Sequence, residues 1–238
     1  MSEAALRDDL AAAFRLTAQF GWHESVGNHF SAAVSDDGAR FLLNPRWRHF
    51  ASIKPDDLLL LDANDPSVMD GPSPPDASAW TIHGAIHRAC PSARVVLHCH
   101  PPHATALAML ADPELKPVDN NTARFFNRVA IDRDFGGIAD DGAEGARLAG
   151  LLGQHKVMLM GNHGLTCTGE TVAEAFEDMY FFERAAQTLL LAYASGQPLN
   201  VLSDDMAEKT AQGWDAYRGM AAEHFAYLKS TLPTLEPR

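Results

Sequence analysis

An apolar strand that ends in two histidines constrains this chain more than any other feature. In Val95-Val96-Leu97-His98-Cys99-His100 the valines favour an extended backbone. Side chains along a strand alternate between the two faces of its sheet. His98 and His100 therefore share one side, while Cys99 points to the other and is not counted as a ligand. A third histidine lies in Gly161-Asn162-His163-Gly164, directly after a second apolar run. Three histidines with a coordination position left open form the pattern of a catalytic metal rather than a closed structural one. Among 11 histidines an H-x-H pair also arises by chance, and histidines satisfied inside a core are the competing explanation.

The surrounding pattern mixes helices and strands. Leu6, Leu10 and Phe14 recur every four residues and predict an amphipathic helix ending near Gly21. Strands are predicted over about 29–34 and 40–44, joined by the hairpin signal Ser35-Asp36-Asp37-Gly38, and over 58–61. Residues 62–76 carry four prolines and little periodicity, which predicts a loop. Trp80, Ile82, Ala85, Ile86 and Ala89 predict a helix stopped by Pro91. After His100, Pro101-Pro102 open a helix running to about 110, since the missing proline donors would go unused in a first turn. Further on the pattern gives a strand over 129–131, a helix over 144–152 and a strand over 157–160. Thr171-Val172-Ala173-Glu174 is a capping box opening a long helix toward Gly196, and one last helix is predicted from about 204 to 228. No repeat or linker divides the chain, so a single α/β domain over 1–238 is expected.

Charge and composition exclude several partner classes. A formal net charge of −12, with no basic run, argues against nucleic-acid binding. No apolar stretch approaches the roughly 18 residues of a membrane span, and the charged, helical opening does not resemble a signal peptide. Cys90, Cys99 and Cys167 are odd in number and lie in apolar segments, which fits free thiols in a reducing cytoplasm.

The arrangement resembles the class II aldolase/adducin family. The matching pieces are Gly27-Asn28, Asn44-Pro45, Ser78-x-Trp80 with Ile82-His83, Val96-Leu97-His98-Cys99-His100-Pro101, Ala104-Thr105-Ala106-Leu107 and Gly161-Asn162-His163-Gly164-Leu165. They extend over nearly the whole chain. The resemblance implies a three-layer α/β/α fold with a central, mainly antiparallel sheet. It also implies a homotetramer of fourfold symmetry with active sites at subunit interfaces, and a divalent metal on His98, His100 and His163. Zinc is the first choice, with manganese or iron as alternatives, because neutral imidazoles accept several first-row metals.

One departure bears directly on the chemistry. The family's sugar-phosphate aldolases carry a glutamate just before the tryptophan; here that position is Ala79, which can neither ligate metal nor move a proton. The residues expected to take over proton transfer are His103, Asp76 and His49, with His29 beside them. His103 stands in the first turn of the helix after His100, where a metal and the helix N-terminus would depress its pKa. The Ser-Gly residues of the usual phosphate pocket are replaced by Arg46-Trp47-Arg48-His49-Phe50. Arg46 and Arg48 would suit a carboxylate or a flat ring, or else form surface or intersubunit ion pairs. Asn28 and Ser78 are the remaining candidates for substrate contact, Asn28 with a turn-capping role as its alternative. His83 and His87, at i, i+4 on a helix, would make a second metal pair, but the resemblance places that helix as scaffold. Asn120-Asn121-Thr122 with Arg124-Phe125-Phe126 either reaches a neighbouring subunit's site or is loop structure.

These observations lead to a metal-dependent carbon–carbon lyase, an aldolase or decarboxylase that stabilises an enolate of a small carboxylated or polyhydroxylated carbonyl compound. Two alternatives stand beside it. One is a non-catalytic scaffold like the adducin branch; the other is an iron oxygenase built on three histidines.

Overall fold

Strand β4 (Val95–Cys99) is buried along its whole length, and the reason lies in what covers each of its faces. Val95, Leu97 and Cys99 join the largest apolar cluster, whereas Val96 joins a second cluster on the opposite face. A strand covered on both sides reads as a continuous apolar run rather than an alternating one. The computed structural model describes residues 2–71, 73–137, 142–217 and 219–235.

In chain order the elements are α1 (Glu3–Phe20), β1 (His29–Ala33), β2 (Arg40–Leu43), β3 (Leu59–Asp62), α2 (Ala77–Ala89) and β4. They continue with α3 (Pro102–Ala108), α4 (Asn120–Ala123), β5 (Val129–Asp132), α5 (Gly142–Leu152), β6 (Val157–Met160) and β7 (Gly164–Gly169). The last are α6 (Val172–Ala194), α7 (Asp204–Asp215) and α8 (Met220–Ser230). The strands form one sheet in the order β3-β2-β1-β4-β7-β6-β5. Among the described residues only β5 and β6 pair in parallel, so the sheet is mainly antiparallel, as expected. Helices α1, α3 and α6 pack on one face through Phe14, Leu107 and Phe182; α2 and α5 pack on the other through Ile86 and Leu148. That gives the three layers. No described helix is long and apolar enough to cross a membrane. Cys90, Cys99 and Cys167 are free and buried.

Local chemistry sets the element ends. The Gly21 N–H bonds to Ala18 O while Trp22 N–H bonds to Thr17 O, and Gly21 takes φ 70°, a conformation that favours glycine. The Thr171 hydroxyl accepts from Glu174 N–H and starts α6, but the Glu174 carboxylate accepts from Glu170 rather than Thr171, so the expected box is half made. The helix after His100 stops at Ala108, two residues short of expectation.

Three segments differ from the sequence reading. β7 was not expected: Leu-Thr-Cys-Thr between two glycines shows no apolar run, yet all six residues are buried between β4 and β6. The last helix is two helices, with Ala216 capping α7 and Gly219 opening α8. The Asn120 segment is a short helix rather than a loop, held by mutual hydrogen bonds of Asp119 and Thr122.

Candidate metal centre

Sheet register brings the three expected histidines together. His98 is the last inward position of β4 on the α2 face, and His100 follows immediately after the strand. His163 lies in the tight turn between the antiparallel β6 and β7, beside Asn162 at φ 54°. Because β7 pairs with β4, that turn returns beside His100. Ring centroids of the three imidazoles are 4.8–5.2 Å apart, and one ligand nitrogen from each lies within 4.8 Å of the others.

The hydrogen bonds around the rings leave the right nitrogens free. The Thr166 hydroxyl donates to Met160 Sδ at 3.3 Å, so its oxygen accepts from His98 Nδ1–H at 3.1 Å. That assignment leaves His98 Nε2 as a lone pair. His100 Nδ1 lies 3.3 Å from the Glu24 carboxylate, and its Nε2 is buried without a hydrogen-bond partner among the described residues. A buried ring nitrogen left unpaired costs free energy unless a ligand completes it. Burial holds the pKa of His98 well below its usual value, with His163 adding to the effect. Burial, then the proximity of His100, brings His163 down to about 4. Neutral imidazoles are the form that binds a metal. The donor set therefore fits a single cation.

Gly164 makes the close approach possible. A Cβ there would stand 2.5 Å from His100 Cδ2 and 2.8 Å from the Cys99 carbonyl oxygen. We expect Gly164→Ala to push the His100 ring aside and weaken metal binding by about 10–100-fold, the scale of losing an orienting partner. Metal titration of the folded variant checks this; unchanged affinity would show that the ring position does not matter.

A cavity of about 360 Å³ adjoins the trio, of ordinary size for a small-molecule site. His29, Ser78, His100 and His163 contribute to its wall. Ser78 Oγ donates to Asp76 Oδ1 at 2.6 Å, and Asp76 caps α2 through Ser78 N–H and Ala79 N–H. Burial pushes the Asp76 pKa up, but these hydrogen bonds and nearby His29 outweigh it and leave the carboxyl below its usual value. Ala79 itself is buried among Phe41, Leu43 and Leu61, so the methyl group serves the core.

Other expected residues lie elsewhere in the subunit. His103 Nδ1 is 2.7 Å from the buried Glu183 on α6, whose carboxylate also accepts from the His103 and Ala104 backbone N–H groups. His103 is thus tied to the first turn of α3, and the cavity wall does not include it. His49 accepts from Ala51 N–H through Nδ1 and meets His23 at 2.9 Å through Nε2. Arg48 pairs with Asp57 at 3.2 Å, and Arg46 stacks over the exposed Trp47 ring at 4.3 Å. The Asn28 side chain accepts from Glu24 N–H, a turn-capping role that places Glu24 beside His100. Glu24 and Thr166 were missed in the sequence because each is brought to the trio by the fold, with no local motif.

Comparison with known proteins shows the family. Residues 8–190 match the family described as Class II Aldolase and Adducin N-terminal domain. The chain is 31% identical to a putative aldolase class 2 protein of Caulobacter vibrioides over 85% of its length and 78% of that protein. It is 29% identical to the decarboxylase NovR of Streptomyces niveus, covering 95% of this chain and 86% of that one. The L-fuculose 1-phosphate aldolase of Glaciozyma antarctica superposes with a TM-score of 0.82 at 25% identity, over 96% of this chain and 90% of that one. The chain belongs to the class II aldolase and adducin N-terminal domain family.

Proposed function

We propose that the protein is a metal-dependent carbon–carbon lyase, an aldolase or decarboxylase, acting on a small carboxylated or polyhydroxylated carbonyl compound. The observation that carries this reading is the buried His100 Nε2, unpartnered among the described residues and set with the imidazoles of His98 and His163 beside a cavity of substrate size. Two relatives, the decarboxylase NovR and an L-fuculose 1-phosphate aldolase, support the same class. In this reading His98, His100 and His163 hold a divalent ion, with zinc preferred over manganese or iron. Such an ion supplies Lewis-acid polarisation of a carbonyl and stabilises the negative charge that develops on its oxygen.

The chain's own residues do the rest. Glu24 and Thr166 fix the orientations of His100 and His98. Ser78 stands at the cavity, where its hydroxyl contacts substrate, and the Asp76 carboxylate bonded to it helps to keep α2 in register. Arg46 and Trp47, exposed on the subunit, belong to substrate or subunit contacts of a homotetramer whose sites lie at interfaces.

The test is a screen of hydroxy-oxo acids, sugar phosphates and aromatic carboxylates with metal-free and metal-loaded protein. We expect turnover of at least one class, lost on chelation and restored by a divalent metal. Turnover untouched by chelation, or none with any class, counts against the lyase.

A further inference from the structure

Four polar side chains that the lyase reading does not use run in a line beneath the trio. His29 and Ser31 are two apart on β1, and His83 and His87 are four apart on α2. The two spacings nearly coincide, about 6.6 Å along a strand and about 6 Å along a helix. Strand and helix therefore mesh like matched teeth. His29 Nδ1 is 2.7 Å from His83 Nε2, His83 Nδ1 is 2.5 Å from Ser31 Oγ, and Ser31 Oγ is 2.7 Å from His87 Nε2. His87 Nδ1 closes the line at 2.7 Å from the Ala93 carbonyl oxygen.

That carbonyl sets the direction of every bond. It can only accept, so His87 carries its proton on Nδ1. Burial keeps His87 and His83 neutral at pH 7. His87 Nε2 is then bare and accepts the single Ser31 hydroxyl proton. Ser31 Oγ, its hydrogen spent, accepts from His83 Nδ1–H, and the bare His83 Nε2 accepts from His29 Nδ1–H. With Nδ1 carrying the proton, Nε2 of the neutral His29 ring is a bare acceptor. Among the described residues none hydrogen-bonds that nitrogen, His29 helps to line the cavity, and its ring stacks on His98 at 4.9 Å.

We propose that His29 Nε2 accepts a hydrogen bond, and then the proton, from a substrate hydroxyl, and that His83, Ser31 and His87 are positioning residues that lock its tautomer. The proposal rests on the lyase reading and narrows it. A lone pair fixed in the wall welcomes a hydroxyl donor and repels a carboxylate, which favours retro-aldol cleavage of a β-hydroxy carbonyl compound over simple decarboxylation. The step balances within the substrate. The O–H bond breaks as N–H forms at Nε2, the oxygen's electrons make a new C=O, and the carbon–carbon pair stays on the fragment bearing the original carbonyl. His29 then returns the proton to that carbon. The base that the alanine at position 79 cannot supply is thus provided from β1.

The test combines ring-nitrogen NMR with kinetics. In the wild-type protein, long-range proton–nitrogen spectra are expected to show His29, His83 and His87 all protonated at Nδ1. Ser31→Ala should release the lock, so that Nε2-protonated forms of His83 and His29 emerge. Metal-loaded wild type is expected to bind 4-hydroxy-2-oxopentanoate at least tenfold tighter than 2-oxopentanoate. In Ser31→Ala that ratio should collapse and kcat/KM fall about 100-fold, the scale of losing an orienting hydrogen bond. Ser31→Thr, which keeps the hydroxyl, should restore both to within a few fold. A wild-type His29 protonated at Nε2 overturns the proposal, as does a folded Ser31→Ala with unaltered ratio and turnover while wild type remains active. If wild type turns over no hydroxy-oxo acid, the lyase reading falls separately, and the nitrogen spectra still decide the tautomer lock.

Discussion

Replacing His98 by alanine is expected to lower metal affinity by well over 100-fold and to abolish metal-dependent turnover. The size follows from two facts. In the proposed site His98 is one of three donors among the described residues, and its ring is pre-set by Thr166, which removes the freedom a ligand would otherwise lose on binding. Thr166→Val keeps the donor and removes only the hydrogen bond to His98 Nδ1, so its expected cost is smaller, about 10–100-fold. The order of the two variants matters more than either number. Competition with a chelator of known affinity measures both. Equal losses would mean that His98 contributes packing rather than coordination.

Acid should destabilise the metal-free protein earlier than its carboxylates alone would. Burial brings His87 from 6.5 down to about 4, and burial likewise holds His83 well below 6.5. Unfolding frees both to bind protons at their ordinary pKa, so their contribution is complete above pH 6.5 and drains away as pH falls toward 4. At pH 5 the loss is about 2 kcal/mol for His87, and His83 acts in the same direction. The His87 loss alone is a sizeable part of the ~5–15 kcal/mol that holds a typical domain. Urea unfolding at pH 8, 6.5 and 5 should show the decline, and His87→Gln, which does not titrate, should make it shallower. Stability level from pH 8 to pH 5 would show that these rings are not held neutral by the fold.

What the sequence disclosed and what it hid have physical reasons. His98 and His100 were legible because strand alternation is a local rule, and His163 because a glycine-flanked turn after an apolar run is local too. β7 was invisible: a strand buried on both faces needs no alternation, and its threonines and cysteine carry little hydropathic signal. The break between α7 and α8 escaped because no proline marks it, while Ala211 and Ala221 continue the buried pattern across it. His83 and His87 were noticed as an i, i+4 pair, but their partners could not be, since His29 and Ser31 meet them only through the packing of α2 on β1. His103 was singled out for its nearness in sequence to His100; one helical turn directs it to Glu183 on α6 instead.

The most direct measurement is a titration of metal-free protein with a divalent ion, followed by X-ray absorption of the loaded sample. One ion per chain, surrounded by three imidazole nitrogens and at least one exchangeable light donor, is the expected result. Substoichiometric binding, or a nitrogen shell that survives unchanged in His98→Ala, would contradict the assignment of His98, His100 and His163 as the ligands of a single open metal site.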